Sequence, residues 1–323
     1  MRKLTRRTVL TSGAAIATAA VAAPHVMAQP VTTTLVVPFP PGGSTDALAR
    51  LLQPVLQEKL GRNVVVENKA GAAGALGAAQ VAKGAPDGST FLVTFDSHAV
   101  IPAILDKPPL DIEKDLASVF LVGTAPYVIA ANAGKPYKTI GDVIAACKKE
   151  AGAVKYASVG IGTLGHLAMT VLGKRAGVEI THVPYRGGGP AMNDVLGGHV
   201  DLIAGSAALV TPQLGPLRAI LQMGKERLPN LPDTETVVDA GFPDIETLAW
   251  WGVFAPKATP PAEIAKLEAA IRAGLSEPAN AKRLQETQQM TLKLGGPKEM
   301  DAFLQREIKF WGQVVRENNI RPT

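Results

Sequence analysis

The sequence predicts an α/β fold of two strand–helix blocks, each a mostly parallel sheet flanked by helices. Short β-branched runs alternate with longer amphipathic ones along the chain. Three times such a run ends in a glycine turn that leads straight into a helix start. Residues 232–261 are punctuated by prolines, contain Trp250-Trp251, and lead into helix-rich sequence with little strand. That region reads as the chain returning to complete its first domain. The expected domains are therefore 29–126 plus 245–323 and, between them, 127–244, with two crossings and a cleft.

Residues 1–28 stand apart from this pattern. Arg2, Lys3, Arg6 and Arg7 precede an Ala/Thr-rich stretch over 9–23, and Val26-Met27-Ala28 offers a small-residue cleavage site. Thr5-Arg6-Arg7-Thr8-Val9-Leu10 resembles a twin-arginine export signal; an ordinary Sec signal with adjacent arginines is the other reading. Either places the mature protein outside the bacterial cytoplasm. The whole chain carries 33 Lys+Arg against 28 Asp+Glu, and the four basic residues of 1–28 account for most of that excess. A nearly neutral remainder gives no support for nucleic-acid binding, which needs a clustered basic surface. No later run is long and apolar enough to span a bilayer. Cys147 is the one cysteine, so no intrachain disulfide can form, and it reads as a small buried hydrophobe. Five scattered His and one Cys argue against a zinc site.

Among the elements, strand 33–37 comes first. Its apolar run Leu35-Val36-Val37 stops at Pro38. A rigid Pro/Gly turn follows, and Ser44-Thr45-Asp46 opens a helix over 44–60 with Leu48, Leu51, Leu52, Val55, Leu56 and Leu60 on one face. Pro54 predicts a kink in it. Strand, glycine turn and helix N-terminus together make an anion socket: the first helical N–H groups lack partners, the macrodipole is positive there, and Gly42-Gly43 admit a ligand to the backbone. No Lys follows the glycines, which excludes a Walker A loop. A small anion such as a carboxylate is the expected guest; the alternative is a turn that merely ends a strand and a serine that merely caps a helix.

Further strands are predicted over 63–67, 90–95, 119–123, 127–131, 154–158, 179–184, 200–204 and 217–222. Further helices are predicted over 73–83, 139–151, 163–176, 188–197, 260–275 and 297–318. The glycines of 71–77 cost helix propensity, so close packing or backbone approach to a ligand must compensate there.

Residues 154–167 repeat the first junction: a strand ends, glycines turn the chain, and Thr163 starts a helix. Gly160, Gly162 and Gly165 match G-x-G-x-x-G, which raises an NAD(P)-dependent oxidoreductase as an alternative. The ribose-binding acid should end the next strand, yet Glu179 stands at that strand's start and its end reads Pro184-Tyr185-Arg186. A third junction follows at 182–191, then Gly197-Gly198-His199-Val200-Asp201. Three such junctions suggest helix N-termini converging on one anion at the carboxyl ends of parallel strands.

Taken together, these segments make the chain similar to substrate-binding proteins of the tripartite tricarboxylate transporter family, the Bug or TctC type. The likeness rests on Pro38-Phe-x-x-Gly-Gly-x-x-Asp46, Glu67-Asn68 before 71–77, Pro86-Asp87-Gly88, Ser158-x-Gly-x-Gly-Thr-x-x-His166, Pro184-Tyr185-Arg186-Gly187 and Gly198-x-Val-Asp201. It implies a two-domain periplasmic-binding-protein (Venus flytrap) fold without cofactor or catalysis. It also implies a monomer in the periplasm, with a small carboxylate ligand and transporter membrane subunits as partners. In such a protein Gly42, Gly43, Ser44 and Thr45 form one jaw on the carboxylate, and Ser158, Gly160, Gly162 and Thr163 the other. Many relatives carry Ser at the position of Thr163; the hydroxyl is kept. Asp46, though in the expected set, reads better as complementing the dipole or bonding across its own loop. His166 is a ligand contact or a structural histidine, and Phe39, Ser97 and His98 shape the pocket or the scaffold. Arg186, Gly187 and Asp201 complete the set, while Trp250 and Trp251 read as core. An exported hydrolase is the remaining alternative: Ser, His and Asp are present, but there is no G-x-S-x-G elbow, and neither Ser44 nor Ser158 has an evident paired base.

Overall fold

A computed structural model of the chain describes residues 32–320, and the expected export signal over 1–28 lies outside them. Strand β1 (Thr33–Val37) forms where Leu35, Val36 and Val37 are all fully buried, so both faces of the strand are covered. It is followed by α1 (Ser44–Leu60), β2 (Val64–Asn68), α2 (Ala75–Ala82), β3 (Thr90–Phe95) and α3 (Ile101–Ile104). Both β2 and β3 pair with β1 in parallel. Helix α1 buries Leu48, Leu51, Leu52, Val55 and Leu56, the expected face, and ends on left-handed Gly61. Pro54 sits within it without ending it.

The predicted strands 119–123 and 127–131 are one 17-residue strand, β4 (Leu116–Asn132). Pro126 lacks an N–H and breaks the sequence pattern, yet its φ suits extended backbone and the chain runs on. After β4 come α4 (Ile140–Lys149), β5 (Lys155–Ser158), α5 (Leu164–Ala176), β6 (Thr181–Pro184), α6 (Gly188–Leu196), β7 (Leu202–Ser206), α7 (Ala207–Val210) and β8 (Leu217–Gln222). Thr139 and Asp142 close a capping box on α4, inside which Cys147 is buried and free. Strand β5 pairs in parallel with β6 and β7.

The proline-punctuated region holds a strand that the sequence did not predict, β9 (Leu248–Pro256). It lies between β3 and β4 and pairs antiparallel with both. Trp250 and Trp251, on successive positions and so on opposite faces, are each fully buried in different core clusters. The chain closes with α8 (Pro261–Ser276), α9 (Pro278–Gln288), β10 (Thr291–Gly295) and α10 (Pro297–Glu317), of which α9 and β10 were not predicted.

The sheet order is β2-β1-β3-β9-β4-β7-β5-β6, with β8 and β10 also on β4. Up to Pro126, β4 pairs with β9; from Tyr127 on, it pairs with β7 and β8. One long strand therefore joins two sets of parallel strands, and the loops after β1, β2, β5 and β6 all reach one cavity. Among the described residues no helix is long and apolar enough to cross a membrane.

Candidate functional site

The loop after β1 is tied down from within. Gly42, at φ +89°, donates its N–H to Asp46 Oδ2 (3.1 Å), which also accepts from Arg50 Nε (2.9 Å). Asn68 at the end of β2 donates to Asp46 Oδ1 and to the Phe39 carbonyl, both at 3.0 Å. Burial works against the charge of Asp46, but these bonds from Arg50, Asn68 and Gly42 outweigh it and hold the carboxyl below its ordinary range. Asp46 thus bonds across its own loop. Gly43 caps α1 with no side-chain hydrogen bond, and its neighbour Ser44 lies 3.4 Å from the Ser206 hydroxyl, which donates to it. Gly43, Ser44 and Thr45 border a small hollow with Phe39, Gly188 and Ser206.

The loop after β5 turns its polar groups inward. Thr163 is fully buried and its hydroxyl donates to the Gly160 carbonyl (2.7 Å). The fully buried Ser158 hydroxyl donates to the same carbonyl (3.1 Å) and lies 2.7 Å from His182 Nε2. Ser158 therefore does have a histidine beside it, contrary to the sequence expectation; 24 residues of separation hide the pair. His166 Nδ1 accepts from the Gly162 N–H (3.2 Å), and its ring stacks on His182 at 4.1 Å, with Tyr156 beyond. Burial lowers the pKa of His166 to about 4 and, with the neighbouring ring's charge, that of His182 to about 3, so both are neutral at pH 7.

The Leu164 amide at the start of α5 faces an acid from elsewhere. Asp96, just past β3, is fully buried and accepts the Tyr127 hydroxyl (2.9 Å) on Oδ2, while Oδ1 has no partner. Burial raises its pKa well above the ordinary range; the Tyr127 bond and, more weakly, the amides of Ser97 and Leu164 oppose that rise. No sequence signal marked Asp96. A lone acid at a strand end looks like a turn residue until the fold buries it.

Between the two loops lies a cavity of about 650 Å³, within the range of small-ligand sites. Its walls come from 38–40, 70–74, 104–105, 159–161 and 184–186. Of the expected residues, Phe39, Gly160 and Arg186 line it. Gly187 stands at its edge, where an added Cβ would meet Pro40 at 2.8 Å. Gly162 likewise packs on Ile104. The remaining expected residues are elsewhere. Ser97 donates its hydroxyl to the Ala73 carbonyl behind the wall. His98 is buried against Phe254 with both ring nitrogens unpartnered, and burial lowers its pKa to about 3. Asp201 precedes β7, at the opposite end of the strands; it pairs with Lys135 (2.7 Å) and accepts the Lys155 N–H (2.9 Å).

Residues 71–74 form a wall that the sequence marked only as glycine-rich. Ala72 and Ala73 both adopt left-handed backbone, at φ 49° and 54°, which non-glycine residues rarely hold without a local reason. Gly77 shows the other half of that expectation, close packing: an added Cβ would stand 2.8 Å from the Lys69 carbonyl and from Pro38. Among the described residues no group of three or more His, Cys, Asp or Glu could hold a metal ion.

The profile of the family described as "Tripartite tricarboxylate transporter family receptor" matches residues 48–320. Protein BugT of Bordetella pertussis is 36% identical over 317 residues, covering 96% of each chain. The solved periplasmic binding protein BugD superposes with a TM-score of 0.86 at 32% identity, covering 90% of this chain and 99% of its own. An R. palustris protein solved with adipate gives 0.87 at 30% identity over 91% of this chain and 100% of its own. MatC of Rhodopseudomonas palustris with bound malate gives 0.83 at 32% identity over 88% and 99%. On this match and these likenesses, the chain belongs to the receptors of the tripartite tricarboxylate transporter family and has their periplasmic-binding-protein fold.

Proposed function

We propose that this protein captures a small carboxylate in the cavity between its two loop sets and delivers it, in the periplasm, to the membrane subunits of a tripartite tricarboxylate-type transporter. The observation that carries the reading is the cavity itself. It is open to solvent and bordered by loops that follow parallel strands of both sets. Two relatives of near-full coverage hold adipate and malate in their structures. On this reading residues 32–126 with 245–320 form one lobe and 127–244 the other, hinged where β4 passes Pro126 and where Thr247 bonds Tyr127 and Met223. The ligand bridges the lobes and favours their closure through contacts made only in the closed state.

The Ser158–His182 contact is the observation that favours a hydrolase. Its geometry argues for a structural pair. Ser158 is held on three sides, by the Gly160 N–H and carbonyl of its own loop and by His182 Nε2, and the His182 ring is itself stacked between His166 and Tyr156. Ser158 is also fully buried, beyond the reach of a substrate in the cavity.

Thermal unfolding against a panel of mono-, di- and tricarboxylates tests the proposal. A ligand present at about 100 times its Kd should stabilise the protein by roughly 2.7 kcal/mol. No shift with any carboxylate, alongside turnover of an ester, would overturn it.

A further inference from the structure

We infer that the cavity selects a carboxylate with an apolar body and discriminates against amino acids and against short hydroxylated polyacids. The inference rests on the carboxylate reading above and narrows it to a ligand class. The side-chain walls are Pro38, Phe39, Ile104, Leu105, Val159 and Ile161, none of which can bond a hydroxyl or an ammonium group. Phe39 is held edge-on against Phe95 (6.2 Å, 88°), which presents a fixed apolar surface.

Several polar side chains nearby are committed elsewhere. The Tyr185 hydroxyl donates to Asp194 (2.5 Å), leaving its ring at the wall. The Asp46 carboxylate is taken by Gly42, Arg50 and Asn68, and the Ser97, Ser158 and Thr163 hydroxyls all donate to main-chain carbonyls. Among the described residues that line the cavity there is no Asp or Glu, and Arg186, exposed at the mouth, alone carries a charge. An α-ammonium group would lose water there and meet no counter-charge. A short hydroxylated polyacid would place its hydroxyl against walls whose side chains cannot bond it.

One carboxylate does find partners. The N–H groups of Ala72, Ala73 and Ile161 have no acceptor among the described residues, and all three residues line the cavity. The first two are successive left-handed residues between Gly71 and Gly74, at the start of one short turn where no earlier carbonyl takes their N–H groups. Main chain thus holds the charge, Arg186 adds to it from the rim, and apolar walls hold the body.

Matched ligands that differ in one group test this on the intact mature protein by calorimetric titration: 4-methylpentanoate against leucine, 3-phenylpropanoate against phenylalanine, and adipate against citrate and malate. At least one of the apolar-bodied acids should bind at least about 10-fold tighter than its amino acid counterpart, the lower bound for an unpaired charge, and tighter than citrate or malate. Tighter binding of an amino acid, citrate or malate than of any apolar-bodied acid would overturn the inference and leave the carboxylate receptor standing. Failure of every carboxylate to bind would remove both.

Discussion

The junctions at 38–46 and 158–166 look alike in sequence and behave differently in the fold. Each runs strand, glycine turn, hydroxyl residue, helix. At the first, the acid that satisfies the loop is Asp46, in the helix's own first turn, and the loop stays at the surface facing its counterpart near Gly188. At the second, the helix start meets Asp96, from 68 residues upstream, and the junction is sealed into the core beside Tyr127. At the first, an internal carboxylate takes up the N–H that the motif offers to an anion; at the second, the Leu164 amide faces a buried acid that bonds Tyr127. The cavity is bordered instead by 159–161 in the middle of one loop and by 71–74 opposite. The pattern of a motif tells where a helix begins, but not which acid the fold sends to it.

The largest expected effect comes from breaking the buried acid. Asp96→Ala should destabilise the protein by about 3 kcal/mol, because the Tyr127 hydroxyl loses its acceptor in a site no water reaches and a void is left. Asp96→Asn keeps an acceptor and separates charge from packing. The native pKa of Asp96 is raised, so the folded state binds more protons than the unfolded one above about pH 4. Its contribution is therefore present at low pH and is lost as pH rises through the native value. Relative to the Asn variant, the wild type should lose stability as pH increases; parallel profiles in chemical unfolding would contradict this. The stacked histidines run the other way. Their lowered pKa values, about 4 and about 3, give stability that is present above about pH 6.5 and lost as pH falls. Replacing His182 should flatten the acid side of the profile alone.

A smaller effect is expected where the two loop sets touch. Gly187, at φ +138°, has Pro40 within 2.8 Å of where a Cβ would stand, so Gly187→Ala forces these loops apart. An alanine is strained at this positive φ in any state, so the unliganded melting temperature should fall, by strain of about 2 kcal/mol, and the clash with Pro40 should also weaken carboxylate affinity. An unchanged melting temperature would show that the loops part without cost in the unliganded protein. The smallest effect separates the second junction's two roles. Thr163→Val should cost about 1 kcal/mol of stability, because Ser158 still bonds Gly160, and should change affinity less than about twofold. A tenfold or larger loss of affinity would restore the hydroxyl to the ligand.

Much of the scaffold was legible because local chemistry decides it. The strand at 33–37, the helix at 44–60 and the strands at 90–95 and 217–222 fall where apolar spacing, glycine and proline place them. Strand β9 was not legible. It is buried on both faces, so Leu248–Pro256 carries no alternation, and the prolines around it resemble a loop. The site was legible in its loops and not in its side chains. Phe39, Gly160 and Arg186 line the cavity, but Ser158, Thr163 and His166 serve the loop's interior, and Asp201 serves the far end of the strands. Direction of a hydroxyl depends on which carbonyl comes near, and that is set by residues distant in sequence. The left-handed pair Ala72-Ala73 carried no signal either, since alanine gives no hint of positive φ.

A crystal structure of the mature protein with its bound carboxylate tests the central claim most directly. The ligand should lie between 71–74 and 159–161, its carboxylate bonded to the N–H groups of Ala72, Ala73 and Ile161 and its body against Phe39 and Leu105. A ligand carboxylate bonded instead to the Ser158 or Thr163 hydroxyl, or seated outside the cavity, would contradict it.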